Sequence, residues 1–318
     1  MPLTPNSIKP VLPPRLRKGD TIGLFCPAGP VRDIRAFEGG INLIKELGFQ
    51  IKLQGAFQNN DNYLADGDAA RAQNFHALWE DTRVQAVMAI RGGFGSVRMM
   101  EHIELDRLQR NPKMLIGFSD VSALISGMIS HANLVAVHGP VVTSLTLHDQ
   151  QSVHQLFSLL TGEAEDLIAG KGMEILRGGN RRGRIMGGNL TTLVHLIGTP
   201  WDSSWENALL VLEDTGESLY RLDRMLTQLA FSGRLDRLAG LILGTFDPGN
   251  SDHLETLRLQ EQVWQRALEL TQRFDFPVWA NFPVGHQAAN FALPMGMEAT
   301  MDSQTGKLRL HTDSVQVL

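Results

Sequence analysis

The chain has 318 residues, 43% hydrophobic and 20% charged, with a formal net charge of −5 at pH 7. That length exceeds one typical core and suits two. No Lys/Arg block offers nucleic acid a surface, no apolar run is long enough to span a bilayer, and the single cysteine, Cys26, leaves no internal disulfide framework.

The elements follow in order. Residues 1–20, rich in Pro, Lys and Arg, read as an irregular lead-in, and Met1-Pro2-Leu3-Thr4-Pro5 lacks the pattern of a signal peptide. Cytoplasmic residence is the expectation. Thr21–Phe25 is a first strand, followed by a turn at Pro27-Ala28-Gly29-Pro30 and a helix from Asp33 to Leu47 that Gly48 stops. Phe49–Leu53 is a second strand, Asp66–Asp81 a helix, and Val84–Ile90 a continuous apolar strand of the kind a parallel sheet covers on both faces. Met114-Leu115-Ile116-Gly117 is another, with a helix starting at Val121 and a short strand near Leu134–His138. Strands alternating with helices predict a doubly wound parallel α/β sheet over residues 1–145.

From Ser144 to Arg182 the periodicity weakens, and 146–182 reads as a connector, helical over Ser144–Ala169. Residues 183–318 form a second α/β domain, with a mixed sheet or small barrel. Its parts are Gly187-Gly188-Asn189 before a helix with Leu190, Leu193, Val194 and Ile197 on one face, strands at Ala208–Leu212 and Leu238–Gly244, and a helix around Arg221–Phe231. A long helix at about Leu254–Arg273 and a terminal hairpin around Ser303-Gln304-Thr305-Gly306 complete it.

Three segments end an apolar run on a chemically useful side chain. Gly117-Phe118-Ser119-Asp120 would expose a serine hydroxyl at the carboxyl edge of a sheet, beside the first amides of a helix. The same residues also suit a helix N-cap. Leu209–Leu212 runs into Glu213-Asp214, and Phe282-Pro283-Val284 into Gly285-His286. Each has a bland reading, but reactive groups in α/β proteins collect at strand carboxyl ends. The order Ser…Glu…His suggests an acyl-transfer triad of Ser119, Glu213 and His286.

Together with these, Arg91-Gly92-Gly93-Phe94-Gly95, Gly187-Gly188-Asn189-Leu190 and Ile197-Gly198-Thr199-Pro200-Trp201 make six ordered motifs. From about Thr21 to the C-terminus the chain resembles the LD-carboxypeptidases, the muramoyltetrapeptide carboxypeptidases of bacterial murein recycling. The resemblance implies a serine peptidase on a two-domain fold whose N-terminal sheet is flavodoxin-like. It puts the nucleophile on Ser119, the acid on Glu213 and the base on His286. It further implies a homodimer and, as substrate, a murein tetrapeptide cut between the L-centre of a diamino acid and a terminal D-alanine.

The oxyanion of such a reaction needs two backbone N–H donors. Asp120 follows the nucleophile and supplies one candidate; Gly93, in a glycine loop after a buried strand, supplies the other. A phosphate loop would need a Lys-Ser/Thr pair that is missing. Arg91 is the nearest candidate for a substrate carboxylate, although pairing with a structural acid would explain it equally. No cofactor or metal is expected, because Asp214 and Glu217 near Glu213 lack His or Cys at ligand spacing. His131, His138 and His195 read as packed or hydrogen-bonded residues, Met99, Met100 and Trp201 as core, and Cys26 as a buried small hydrophobe. Arg221, Asp223 and Arg224 look like a surface or interdomain ion-pair set. Two alternatives stand beside the peptidase: a relative of the microcin C self-immunity protein cleaving a peptidyl-nucleotide, and a non-catalytic module binding a small anion.

Overall fold

A computed structural model of the chain describes residues 9–59, 62–163, 166–168, 172–249 and 252–317. The start of the expected lead-in and residues 164–165 and 169–171 of the expected connector lie outside the described residues.

The first half builds a six-stranded sheet. Thr21–Phe25, Gln50–Leu53, Val84–Ala89, Met114–Gly117 and Ala136–His138 are parallel neighbours, and Leu293–Met295, from late in the chain, closes one edge antiparallel to Ala136–His138. The central strands are apolar throughout because both faces are covered. Val87 and Ala89 enter one apolar cluster with Phe75, Leu115 and Ile125, while Ala86 and Met88 enter another with Phe37, Ile44 and Leu156. This is the period-2 alternation of a strand, with helices supplying both layers. The helix Ile34–Glu46 is capped by the Asp33 side chain on Ala36 N–H, and Gln150–Thr161 by Asp149 on Ser152 N–H.

The second half builds an eight-stranded mixed sheet. Its parallel centre is Asn180–Asn189, Ala208–Thr215, Gly240–Asp247 and Val278–Ala280. Glu298–Asp302 and Lys307–Leu310 form the terminal hairpin and extend one side, and Glu174–Arg177 lies antiparallel on the other. The first apolar cluster continues without a break from the helix Ser122–Ala132 to Leu190, Leu209 and Ile242, so the two sheets share a core. Near the chain ends, Val11–Leu12 pairs with Gln316–Val317. Of the described residues, no helix is long and apolar enough to cross a membrane.

Candidate active site

The Met114–Gly117 strand ends in an abrupt turn. A Cβ at Gly117 would lie 2.7 Å from Val121 Cγ1, so only glycine lets the following helix start so close to the strand. Ser119 then takes φ +62°, a left-handed backbone that costs a serine about 1–3 kcal/mol. The chain turns through Ser119–Val121 into the helix Ser122–Ala132, which leaves Ser119 half-buried at the sheet's carboxyl edge.

The glycine loop after Val84–Ala89 reaches the same place. A Cβ at Gly92 would come 3.1 Å from Ser119 Cβ and 3.2 Å from its Oγ. Among the described residues, no acceptor engages the Gly93 or Asp120 amide. The Asp120 side chain holds the far end of that loop, accepting from Ser96 N–H at 2.7 Å and more weakly from Gly95 N–H at 3.4 Å. Burial pushes its carboxyl up, against the pull of those hydrogen bonds and of Arg71. Arg71 is itself buried; it donates to Gly95 O at 2.9 Å and to Pro27 O, and pairs with Asp68, which Arg98 holds at 2.8 Å. One residue thus offers an amide to the site and clamps the opposing loop with its carboxylate. The amide is visible in the sequence and the clamp is not, because Gly95 and Ser96 lie more than twenty residues from Asp120 in the chain.

Glu213 lies within the strand Ala208–Thr215, where the sequence reading had it just past the end of a shorter one. The pairing with Gly240–Asp247 shifts register between Leu212 and Asp214, a bulge that re-aims the side chains there. Successive strand residues face opposite ways. Glu213, fully buried, accepts from His286 Nδ1 at 2.8 Å. Asp214 instead accepts from Thr191 N–H and Oγ1–H, both at 2.8 Å, and from Asn189 Nδ2 at 3.1 Å. Asn189 caps the helix Leu190–Leu196, and its own N–H donates to Ser122 Oγ at 3.0 Å. The Gly-Gly-Asn motif is therefore a joint between the two sheets.

His286 sits in a loop, not directly after a strand: the run Phe282–Val284 is irregular, and the strand before it is Val278–Ala280. The loop is fixed by Thr245 N–H on Val284 O at 2.9 Å and by Gly285 N–H on Asn290 Oδ1 at 3.1 Å. The Phe118 ring, one residue before Ser119, packs 4.7 Å from the imidazole centroid. Glu213 and His286 are thus paired directly, and Phe118, the residue before Ser119, packs on the imidazole. Among the described residues no hydrogen bond joins the Ser119 hydroxyl to His286.

The electrostatics follow from burial and pairing. Burial alone would lower the His286 pKa, but the Glu213 carboxylate outweighs it and holds the imidazole above its ordinary 6.5. Burial opposes ionisation of Glu213, yet His286 and other neighbours hold its carboxyl below its ordinary 4.5. Burial, with the Glu213 charge beside it, pushes Asp214 up to about 6.

The remaining residues sort by environment. Arg91 is half-buried and donates to Pro30 O at 3.0 Å; among the described residues no acid pairs with it. Burial pushes the Cys26 thiol up to about 12, so it is no nucleophile at neutral pH. Glu217 pairs with Arg221 at 3.3 Å, one helical turn on. Asp223 pairs with Arg266 at 2.6 Å, and the Arg224 guanidinium lies over the Tyr220 ring. His138 is buried; His131 and His195 are exposed, the His131 ring packing edge-on to Trp201 and His195 Nδ1 hydrogen-bonding Thr191 O at 2.7 Å, in line with the packed or hydrogen-bonded roles expected of them.

Comparison with known proteins places the chain in a family. Residues 22–139 match the model of the LD-carboxypeptidase N-terminal domain, and residues 182–301 that of the LD-carboxypeptidase C-terminal domain. A probable murein peptide carboxypeptidase of Bacillus subtilis is 33% identical over 92% of this chain and 91% of its own. The crystal structure of muramoyltetrapeptide carboxypeptidase from Oxalobacter formigenes is 25% identical and superposes with a TM-score of 0.76 over 91% of this chain and 97% of the other. The structure of MccF with glutamyl sulfamoyl guanosine shares the fold, with a TM-score of 0.86 over 96% of this chain and all of the other at 22% identity. With both domain models matched in order and a relative at one-third identity along nearly its whole length, this chain belongs to the LD-carboxypeptidase family.

Proposed function

We propose that this protein is a serine-type LD-carboxypeptidase that releases the terminal D-alanine of murein tetrapeptides, acting on cell-wall fragments in the cytoplasm as a homodimer. The observation that carries the chemistry is the Glu213–His286 pair, 2.8 Å long, its carboxylate fully buried and its imidazole half-buried against Phe118, the neighbour in sequence of a serine in a left-handed turn. The names of the relatives support the substrate class.

In this reading His286 Nε2 takes the Ser119 proton as Oγ attacks the carbonyl carbon of the LD bond. The oxyanion is met by the Asp120 and Gly93 amides, each worth about 100- to 1000-fold in rate. The imidazolium is stabilised by Glu213 and protonates the leaving D-alanine nitrogen as the C–N bond breaks. Water, deprotonated by the same imidazole, then splits the acyl-serine. Arg91, whose guanidinium no described acid neutralises, is available to the substrate's terminal carboxylate.

Labelling with a fluorophosphonate, followed by peptide mass spectrometry, tests the chemistry. Rapid modification of Ser119, lost in His286→Ala, is expected. An unlabelled protein would favour the anion-binding module, and a label on another residue would displace the nucleophile.

A further inference from the structure

His138 ends the strand Ala136–His138 directly beside Gly117, its register partner. It is 1% exposed, and neither ring nitrogen has a hydrogen-bond partner. Glu213 Oε1, the oxygen His286 does not use, is also buried and has no partner at hydrogen-bond geometry, although the Asn189 side chain lies near enough to help hold the carboxyl down. An orphaned buried polar atom is costly, so two such groups in one place need an explanation.

They are close together. A Cβ at Gly188 would lie 3.5 Å from His138 Nδ1. Gly188 pairs with Leu212 and its neighbour Asn189 with Glu213, and the charge of the Glu213 carboxylate acts on the His138 imidazole. On its other side the Phe118 ring lies 6.0 Å from the His138 ring and 4.7 Å from that of His286. The charged and titratable groups around it are Glu213 and His286, with His148 beyond Phe118 at 6.1 Å and Asp214 turned away to the Leu190–Leu196 helix.

We infer that His138 is a positioning residue of the site: its neutral imidazole gives its N–H to Glu213 Oε1 through one water, and so fixes the carboxylate that orients His286. This rests on the triad reading above. Burial drives the His138 pKa down to about 4, which keeps the ring neutral at working pH, with one donor and no charge to repel the imidazolium. A carboxylate held at one oxygen can swing; held at both, it presents Oε2 to His286 in one orientation.

The test compares His138→Phe, which keeps bulk and removes the donor, with His138→Gln, which keeps a donor. The phenylalanine variant should lose at least about tenfold in kcat with KM within about twofold. It should also move the acid limb of kcat/KM to higher pH, since a less compensated carboxylate draws the imidazolium proton more strongly. The glutamine variant should recover most of both. Equal impairment of the two variants, or a phenylalanine variant within twofold of wild type with an unmoved acid limb, overturns the inference. Should the phenylalanine variant not fold, nitrogen-15 NMR of labelled histidines in the wild-type protein decides. A hydrogen-bonded His138 N–H that shifts strongly in Glu213→Gln is expected, and one that does not respond overturns it. The NMR result does not depend on turnover, so failure of the triad reading, seen as activity surviving Ser119→Ala, is told apart from failure here.

Discussion

Replacing Glu213 by Gln changes one atom's identity at a fully buried position and tests the electrostatics of the site. Gln keeps the volume but removes the charge that raises His286, and its amide can turn its NH2 toward Nδ1. The imidazole would then carry its proton on Nε2, where it cannot accept from serine. A wrong tautomer of this kind costs about 10,000-fold in kcat in serine proteases. Partial retention of the correct orientation sets a floor near 100-fold, so the expected loss is about 3 to 5 kcal/mol of transition-state stabilisation. The acid limb gives an independent sign. In the wild type His286 must lose a proton whose pKa lies above 6.5, so kcat/KM rises with pH through a value above 6.5. Without the carboxylate, burial is opposed only by the charges of Asp214 and Asp247, and the limb should move to lower pH. Stability should follow as well. The lowered Glu213 pKa contributes stability present above about 4.5 and lost as pH falls through its folded value. The raised His286 pKa contributes stability present below 6.5 and lost as pH rises through its folded value. The wild-type advantage in Tm should therefore be largest between about pH 4.5 and 6.5. Steady-state release of D-alanine across pH, with thermal melts of both proteins, measures all three. A variant within threefold of wild-type kcat, with an unmoved acid limb, would refute the assignment of Glu213.

Ser119→Ala should abolish turnover without unfolding the chain, and Ser119→Gly should be about 1 kcal/mol more stable than Ser119→Ala in denaturant titration, because glycine accepts φ +62° without strain. Gly92→Ala should lower kcat at least about tenfold, since its Cβ would press on Ser119 at 3.1 Å; an unchanged kcat would mean that the loop gives way freely. Arg91→Ala should lower kcat/KM by about 10- to 100-fold, chiefly through KM, as loss of a charged hydrogen bond would; an effect confined to Tm would make Arg91 structural. Glu217→Gln, which removes only a surface pair with Arg221, should change stability by about 1 kcal/mol or less; a collapse of kcat there would move the triad acid.

The parts of the fold legible in the sequence were helices with a one-sided apolar face, continuous apolar strands, and segments bounded by clear start and stop residues. The helices at Ile34–Glu46, Asp68–Glu80 and Leu219–Phe231 and the strands Val84–Ala89 and Met114–Gly117 fell within a few residues of their expected bounds. The short strands Glu174–Arg177 and Leu293–Met295 escaped notice because partners distant in the chain define them: Leu293–Met295 owes its extended pairing to Ala136–His138. Glu213 was legible as an acid ending an apolar run, but a strand that keeps its pairing through Asp214 and Thr215 cannot be told from one that stops at Leu212 by hydrophobicity alone. The Asp120 clamp on Gly95 and Ser96 and the orphaned His138 were hidden for the same reason: each is defined by contacts across more than twenty residues of chain.

The central claim is tested most directly by incubating the protein with a defined murein tetrapeptide, the corresponding pentapeptide and a peptidyl-nucleotide, and measuring the products by mass spectrometry with Ser119→Ala as control. The account predicts D-alanine and tripeptide from the tetrapeptide, unaffected by EDTA and absent with the variant, and little release from the pentapeptide. Efficient release from the pentapeptide, cleavage of the peptidyl-nucleotide alone, or activity lost in EDTA and restored by zinc would contradict it.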